Sequence, residues 1–301
     1  KPQDFEGVEL LVVDLQDIGS RYYTYIYTAT LAMKAAAQVG IPTVVLDRPN
    51  PITGTMVEGT FTGLDYLSFV GLWPLPTRHG LTLGEVLRYL NTREGFGADL
   101  KVIPVEGWDT ALYGDEYAYP WVQPSPNMPT INTTVVYPGM CLFEGTNVSE
   151  GRGATKPFEL IGADYVEPFE WANDLNGIQL DGIYFRPVYF QPTFHKFGGT
   201  SIGGVALEVT DRRSFQPLRV GLHMLGSLSR LYGDQFGWRT DAYEFVKDRL
   251  AIDLLFGGTQ ARALIERRAS VAQLDELYTS WSSVSDTFHR DVGDALLYER
   301  P

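Results

Sequence analysis

The chain has 301 residues, 44% hydrophobic and 20% charged, with a formal net charge of −13. This is globular composition at a length that favours two cores over one. No Lys/Arg cluster is present, which argues against nucleic acid and anionic membranes as partners, because phosphate neutralisation needs a basic face. A single cysteine, Cys141, rules out an internal disulfide, no CxxC or HExxH pattern supports a zinc site, and apolar runs such as Val8 to Val13 are far shorter than the ~20 residues that span a bilayer.

Glu9 to Leu15 is apolar without alternation, as a strand buried on both faces reads. A polar loop, Gln16 to Arg21, leads to a predicted helix from Tyr22 to Gln38, closed by Gly40. Thr43 to Leu46 is a second buried strand, ending in Asp47-Arg48-Pro49-Asn50-Pro51. Strand, helix and strand within ~40 residues predict a βαβ unit and a parallel sheet. Ligands of open parallel sheets bind outside the carboxyl ends of the strands, where both polar loops fall.

Thr82 and Glu85 form a capping-box pattern that opens a helix from Leu83 to Asn91. Lys101 to Pro104 reads as a strand. From Trp108 to Pro138 the chain is rich in Pro, Tyr and Trp and predicts a long crossing between domains. The division falls near Thr134, giving an N-terminal domain at 1–133 and a C-terminal α+β domain at 134–301. In the second half, Ile183 to Phe190 and an alternating Ile202 to Thr210 predict strands. Helices are predicted at Gln216 to Tyr232, Glu244 to Phe256, Thr259 to Arg268 and Val271 to His289.

The densest polar cluster runs from Leu142 to Glu159, after an apolar run at Thr134 to Tyr137 and ahead of an expected short helix. Gly145, Gly151 and Gly153 let its backbone approach a ligand or adopt positive φ. Glu144, Asn147, Ser149, Glu150 and Arg152 gather in one turn. The bland alternative is a solvated loop braced by an Arg–Glu ion pair. The turn lacks the GxxxxGK[ST] order of a phosphate cradle, and its carboxylates would repel phosphate.

The run FEGTNVSEGRGATKPFE, with Tyr137-Pro138-Gly139 ahead of it, resembles the signature of the NamZ exo-β-N-acetylmuramidases. So do Asp14 to Thr28, Val44 to Gly59, Phe69 to Glu85 and Trp121 to Thr130, with Arg186 to Gly199 a looser match. The resemblance implies a Rossmann-like parallel-sheet first domain, an α+β second domain and a cleft between them. It implies hydrolysis of the β-glycosidic bond of a non-reducing terminal N-acetylmuramic acid in peptidoglycan fragments, with no metal or organic cofactor, by an enzyme exported to the periplasm or beyond. Family members carry a further stretch ahead of the position of Lys1, including a Gly-Pro-Glu-His-Gly segment whose Glu is a candidate acid. This sequence has no such segment. The expectation is therefore a first domain incomplete at its N-terminus, with an exposed sheet edge and, as one consequence, a chain inactive alone.

Glycoside hydrolysis needs an acid for the leaving oxygen and a second group for the opposite face of the sugar, a place the substrate's own N-acetyl group can take. Glu144 and Glu150 are the candidate catalytic residues, with Glu58 and Asp17 as rivals. Asp17 reads equally well as a helix cap. Arg21, Arg48 and Arg152 compete to hold the lactyl carboxylate, for which a planar guanidinium is suited. Asn50 and Asn127, in proline-rich loops, are candidate hydroxyl partners. His79 ranks above His195 for the site, while His223 and His289 read as structural. A non-catalytic sugar-binding protein is the rival from another class; a nucleotide-dependent enzyme would need a GxGxxG turn, and none is present.

Overall fold

The computed structural model describes residues 2–300. Three short strands, β1 (Leu11–Val13), β2 (Thr43–Leu46) and β3 (Leu100–Ile103), form a parallel sheet in the order β1-β2-β3. Val13, Val45 and Val102 stand in register and turn toward helices α1 (Tyr25–Gln38) and α2 (Leu83–Arg93), which pack on one face. The opposite face carries Val12, Leu46 and Ile103, all exposed, and β1 is an edge strand.

Helix α1 begins three residues later than its sequence pattern predicts. The Arg21 amide donates to the Thr77 carbonyl at 2.8 Å, and Ser20 bridges to Arg78. Those tertiary bonds hold residues 20–24 off the helical path. At the other end, Gly40 takes φ +73°, which an L side chain resists. Helix α2 starts on the capping box its sequence announces. The Glu85 amide donates to Thr82 Oγ1 at 3.2 Å, and the Thr82 amide to Glu85 Oε2 at 3.0 Å.

The aromatic, proline-rich crossing is irregular and ends in α3 (Ile131–Met140), capped by Thr130. The apolar run at Thr134 to Tyr137 is thus the middle of a helix. Its residues are buried all round, which removes the periodicity that would reveal it. Helix α3 lies against α5 (Pro217–Tyr232) so closely that the backbones of Gly139 and Gly221 meet. The second sheet is antiparallel, in the order β4 (Leu160–Ala163), β6 (Ile202–Val209), β5 (Ile183–Phe190), backed by α4 (Pro168–Ile178) and α5. Strand β6 is central and buried on both faces from Ile202 to Leu207, so its apparent alternation does not describe an exposed face.

Three further expectations are corrected. No helix directly follows the acidic turn; the chain goes through turns into β4. The predicted helix from Glu244 is only α6 (Ala251–Phe256), because Glu244 and Phe245 take positive φ and Tyr243 pairs with Val246. The expected helix from Val271 to His289 is two, α8 (Val271–Ser280) and α9 (Ser282–Asp291), broken at the buried Trp281; α7 (Gln260–Glu266) precedes them. The chain then returns to the first sheet. Phe288, Val292 and Ala295 complete its core, Leu297 N donates to Glu85 Oε1 at 2.9 Å, and Tyr298 OH donates to Asp47 at 2.6 Å.

Candidate active site

The acidic turn leaves α3 through a 3-10 turn, Cys141–Gly145. Close packing explains its glycines. A Cβ on Gly145 would meet the Ile252 backbone at 2.8 Å, and one on Gly151 would meet the Leu160 carbonyl at 2.5 Å. The two carboxylates have different surroundings. Glu144 is 13% exposed in its side chain and is held by Arg152 at 2.5 Å and by the Tyr243 hydroxyl at 2.8 Å. Glu150 is fully buried within reach of two cations and an imidazole: Lys196 Nζ at 2.9 Å, Arg152 Nε at 3.5 Å and His195 Nδ1 at 3.2 Å. Burial alone would push its carboxyl up; His195 and Lys196 overcome that and hold it well below the ordinary carboxylate range.

Lys196 also donates to the Phe143 and Val148 carbonyls, at 2.8 and 2.9 Å, so one ammonium ties both limbs of the turn. The Arg152 guanidinium lies 5.0 Å from the Phe158 ring centroid. Ser149 pairs with Gly162 of β4, and its hydroxyl accepts from the Gly151 amide. Asn147 is committed to Gln235 O, Tyr165 OH and Gly237 N. These last two side chains shape the turn.

The turn lies beside the seam between the two halves. The Tyr22 hydroxyl donates to the Pro138 carbonyl, and the rings of Tyr22 and Tyr23 pack edge-on against Tyr137. Burial, reinforced by Cys141 and Glu144, pushes the Tyr137 phenol up, and burial does the same to the Cys141 thiol. Across the seam, Asp17 accepts from the Gly19 amide at 2.7 Å and lies 3.4 Å from His79 Nε2. It therefore closes a tight turn and does not cap α1, whose N-cap is Thr24. His79 Nδ1 accepts from the Leu81 amide, which leaves the proton on Nε2, facing Asp17. Asn50 joins this group by donating to Leu81 O and accepting from the Ile52 amide, both at 3.0 Å.

The remaining candidates are dispersed. Arg21 is fully buried and donates to the carbonyls of Thr60, Leu75 and Leu255, which stitches the halves together. Full burial leaves it no surface to offer a lactyl carboxylate, and the structure corrects that expectation. Glu58 is buried against Arg78 at 2.9 Å, with Tyr278 OH at 3.3 Å. Burial raises its carboxyl and Arg78 opposes the rise. Asn127 is half-buried, its amide donating to Ser125 Oγ. Arg48 is exposed, paired with Asp14 at 2.7 Å. Both line a cavity of about 550 Å³ at the carboxyl ends of β1 and β2, walled also by Gln16, Tyr117, Tyr119 and Trp121. Sequence reasoning missed Lys196, Tyr243 and Arg78 and ranked His195 low. The only cue was the Phe194-His195-Lys196-Phe197 string in the looser matching segment.

A parallel α/β unit joined to an α+β unit, with two carboxylates in a glycine-rich turn beside the seam, is an architecture that can serve a glycoside hydrolase. Residues 1–132 match the family model of the exo-β-N-acetylmuramidase NamZ N-terminal domain and residues 135–298 that of its C-terminal domain, so the chain belongs to this family. It is 44% identical over 297 residues to the peptidoglycan β-N-acetylmuramidase NamZ of Bacillus subtilis (strain 168), covering 99% of this chain and 69% of that protein. Two crystal structures of DUF1343 family proteins from Bacteroides fragilis NCTC 9343 share the fold. One is 29% identical with a TM-score of 0.88, over 99% of this chain and 77% of the other; the second is 28% identical with a TM-score of 0.76, over 100% and 78%.

Proposed function

We propose that this protein is an exo-acting glycoside hydrolase that releases β-linked N-acetylmuramic acid from the non-reducing end of peptidoglycan fragments. Family membership over nearly the whole chain supports the reading. The observation that carries its chemistry is the pairing of a partly open Glu144 with a buried, ionised Glu150 in one turn at the seam. Cleavage builds positive charge at the anomeric carbon. Glu144 keeps an accessible edge and is the carboxylate that answers this charge. Glu150 has no exposed surface and acts through the cations around it. Arg152, a quarter exposed beside Glu144, is the guanidinium that meets the lactyl carboxylate. Arg48 and the aromatic walls of its cavity receive more distant parts of the glycan. Since the substrate is wall-derived, the place of action is outside the cytoplasm.

The test is release of free N-acetylmuramic acid from muramic-acid-terminated fragments, followed by chromatography. Glu144→Gln should lower kcat by at least ~100-fold with the melting temperature retained. Unchanged turnover in that variant would remove Glu144 from the chemistry.

A further inference from the structure

Strand β5 returns to β6 through the loop 191–200, which folds across the acidic turn. Thr193 fastens it there, its amide and hydroxyl both donating to the Gly153 carbonyl at 2.9 Å. Gly153 is needed for this approach: a Cβ there would lie 2.6 Å from the Phe194 carbonyl oxygen. The next residues are held in an unfavourable backbone region. His195 has φ +68° and Phe197 φ +58°, conformations that cost a non-glycine residue about 1–3 kcal/mol each. A loop that needed only to turn would be better served by glycine at either position. Lys196, between them, is saturated by two carbonyls and Glu150, which stabilises the strained course.

The result is a specific placement of His195. Its Nδ1 lies 3.2 Å from Glu150 Oε1, while 42% of the side chain is exposed. Glu150 itself is inaccessible. The 3.2 Å approach is close contact short of a formed hydrogen bond, and a small rotation of the ring would let Nδ1–H donate to the carboxylate, which orients the imidazole with its other nitrogen away from Glu150. The other nitrogen is then the only proton-transfer atom of the pair that a ligand can touch. A carboxylate held ionised by neighbouring cations is a poor proton donor, so the imidazole is the member of this pair that can act as acid.

Resting on the muramidase reading, we propose that His195 is the proton-transfer residue of the reaction and that Glu150 is its positioning residue. The imidazolium gives its Nε2 proton to the glycosidic oxygen as the C1–O bond breaks, and the remaining glycan leaves as an alcohol. Glu144 faces the positive charge at C1. The neutral ring then accepts a proton from the water whose oxygen bonds to C1, and the imidazolium is restored. No other reactant is required.

Leaving groups separate this role from a structural one. A sugar alcohol needs a proton to depart; a nitrophenolate does not. The experiment measures kcat/KM of wild type, His195→Asn and His195→Gln on β-N-acetylmuramyl-N-acetylglucosamine and on 4-nitrophenyl β-N-acetylmuramide. The expected result is a loss of at least ~100-fold on the disaccharide and less than about tenfold on the nitrophenyl glycoside. Equal losses on both substrates, with or without a lowered melting temperature, mark a merely structural residue and overturn the assignment. So does full activity of either variant on the disaccharide. A full-length, folded form of the protein inert toward both glycosides would instead overturn the muramidase reading itself.

Discussion

Glu85 and Glu150 are both fully buried carboxylates, and their surroundings have little in common. Glu85 sits at the start of α2, where the Thr82 amide at 3.0 Å, the Leu297 amide at 2.9 Å and Arg300 at 2.7 Å fill its lone pairs. Two of those donors are backbone groups with fixed positions. Glu150 has neighbours that are all side chains, one of them, His195, with 42% of its side chain exposed. A carboxylate that closes a helix end is held mainly by backbone amides, one of them local, and stays closed. The Glu150 carboxylate is instead satisfied by side chains, which rotate about their own bonds in a way that backbone amides do not. The cost of the second arrangement is an ion cluster that depends on every member.

That contrast is broken most directly at Lys196. Lys196→Met should destabilise the fold by about 3–5 kcal/mol, the scale for leaving a buried charge short of its partner. A denaturant titration showing less than about 1 kcal/mol would mean that His195 and Arg152 suffice and that the cluster is not interdependent.

Acid sharpens the comparison further. The folded-state value of Glu150 lies below the usual carboxylate value of 4.5. Its contribution is therefore fully present above that pH and is lost as pH falls through the lowered folded value. Glu58 has the opposite sign: its folded value is raised, so protonation favours the fold over the window between its ordinary and folded values. Glu150→Gln should thus be less stable than wild type at neutral pH yet show a flatter loss of stability below pH 4.5, read from melting temperature against pH. Parallel curves for the two proteins would contradict the assignment of Glu150 as ionised.

The smallest effect belongs to the capping corner. Thr82→Ala should cost about 1 kcal/mol, measured by thermal or chemical unfolding, and leave muramidase turnover within about twofold. A loss comparable to that of Lys196→Met would erase the distinction between local and assembled burial.

Those differences also explain what could be read in advance. The capping box is visible because both of its partners lie within four residues. The parallel strands are visible because unbroken apolar runs have few other uses at that length. The acidic turn is visible because Glu144, Glu150 and Arg152 fall within nine residues and match a family signature. The start of α1 departs from its sequence pattern because the carbonyl of Thr77, far along the chain, captures the Arg21 amide. The helix at Thr134 to Tyr137 has no sequence signal because burial on all sides erases its periodicity. Nothing in the string 288–300 announces that it will close the first core, since its contacts with Glu85 and Asp47 span more than two hundred residues.

Local spacing and residue order carry the class of fold, the family and the turn in which charge is concentrated. Which charges meet depends on the path of the folded chain. It turned Arg21 into an internal brace, enclosed Glu150, left Glu144 at an edge and brought His195 and Lys196 across from a hairpin more than forty residues away. Ion pairs fall off steeply with distance and depend on burial, so their partners are fixed by chain path through space, which local pattern does not encode.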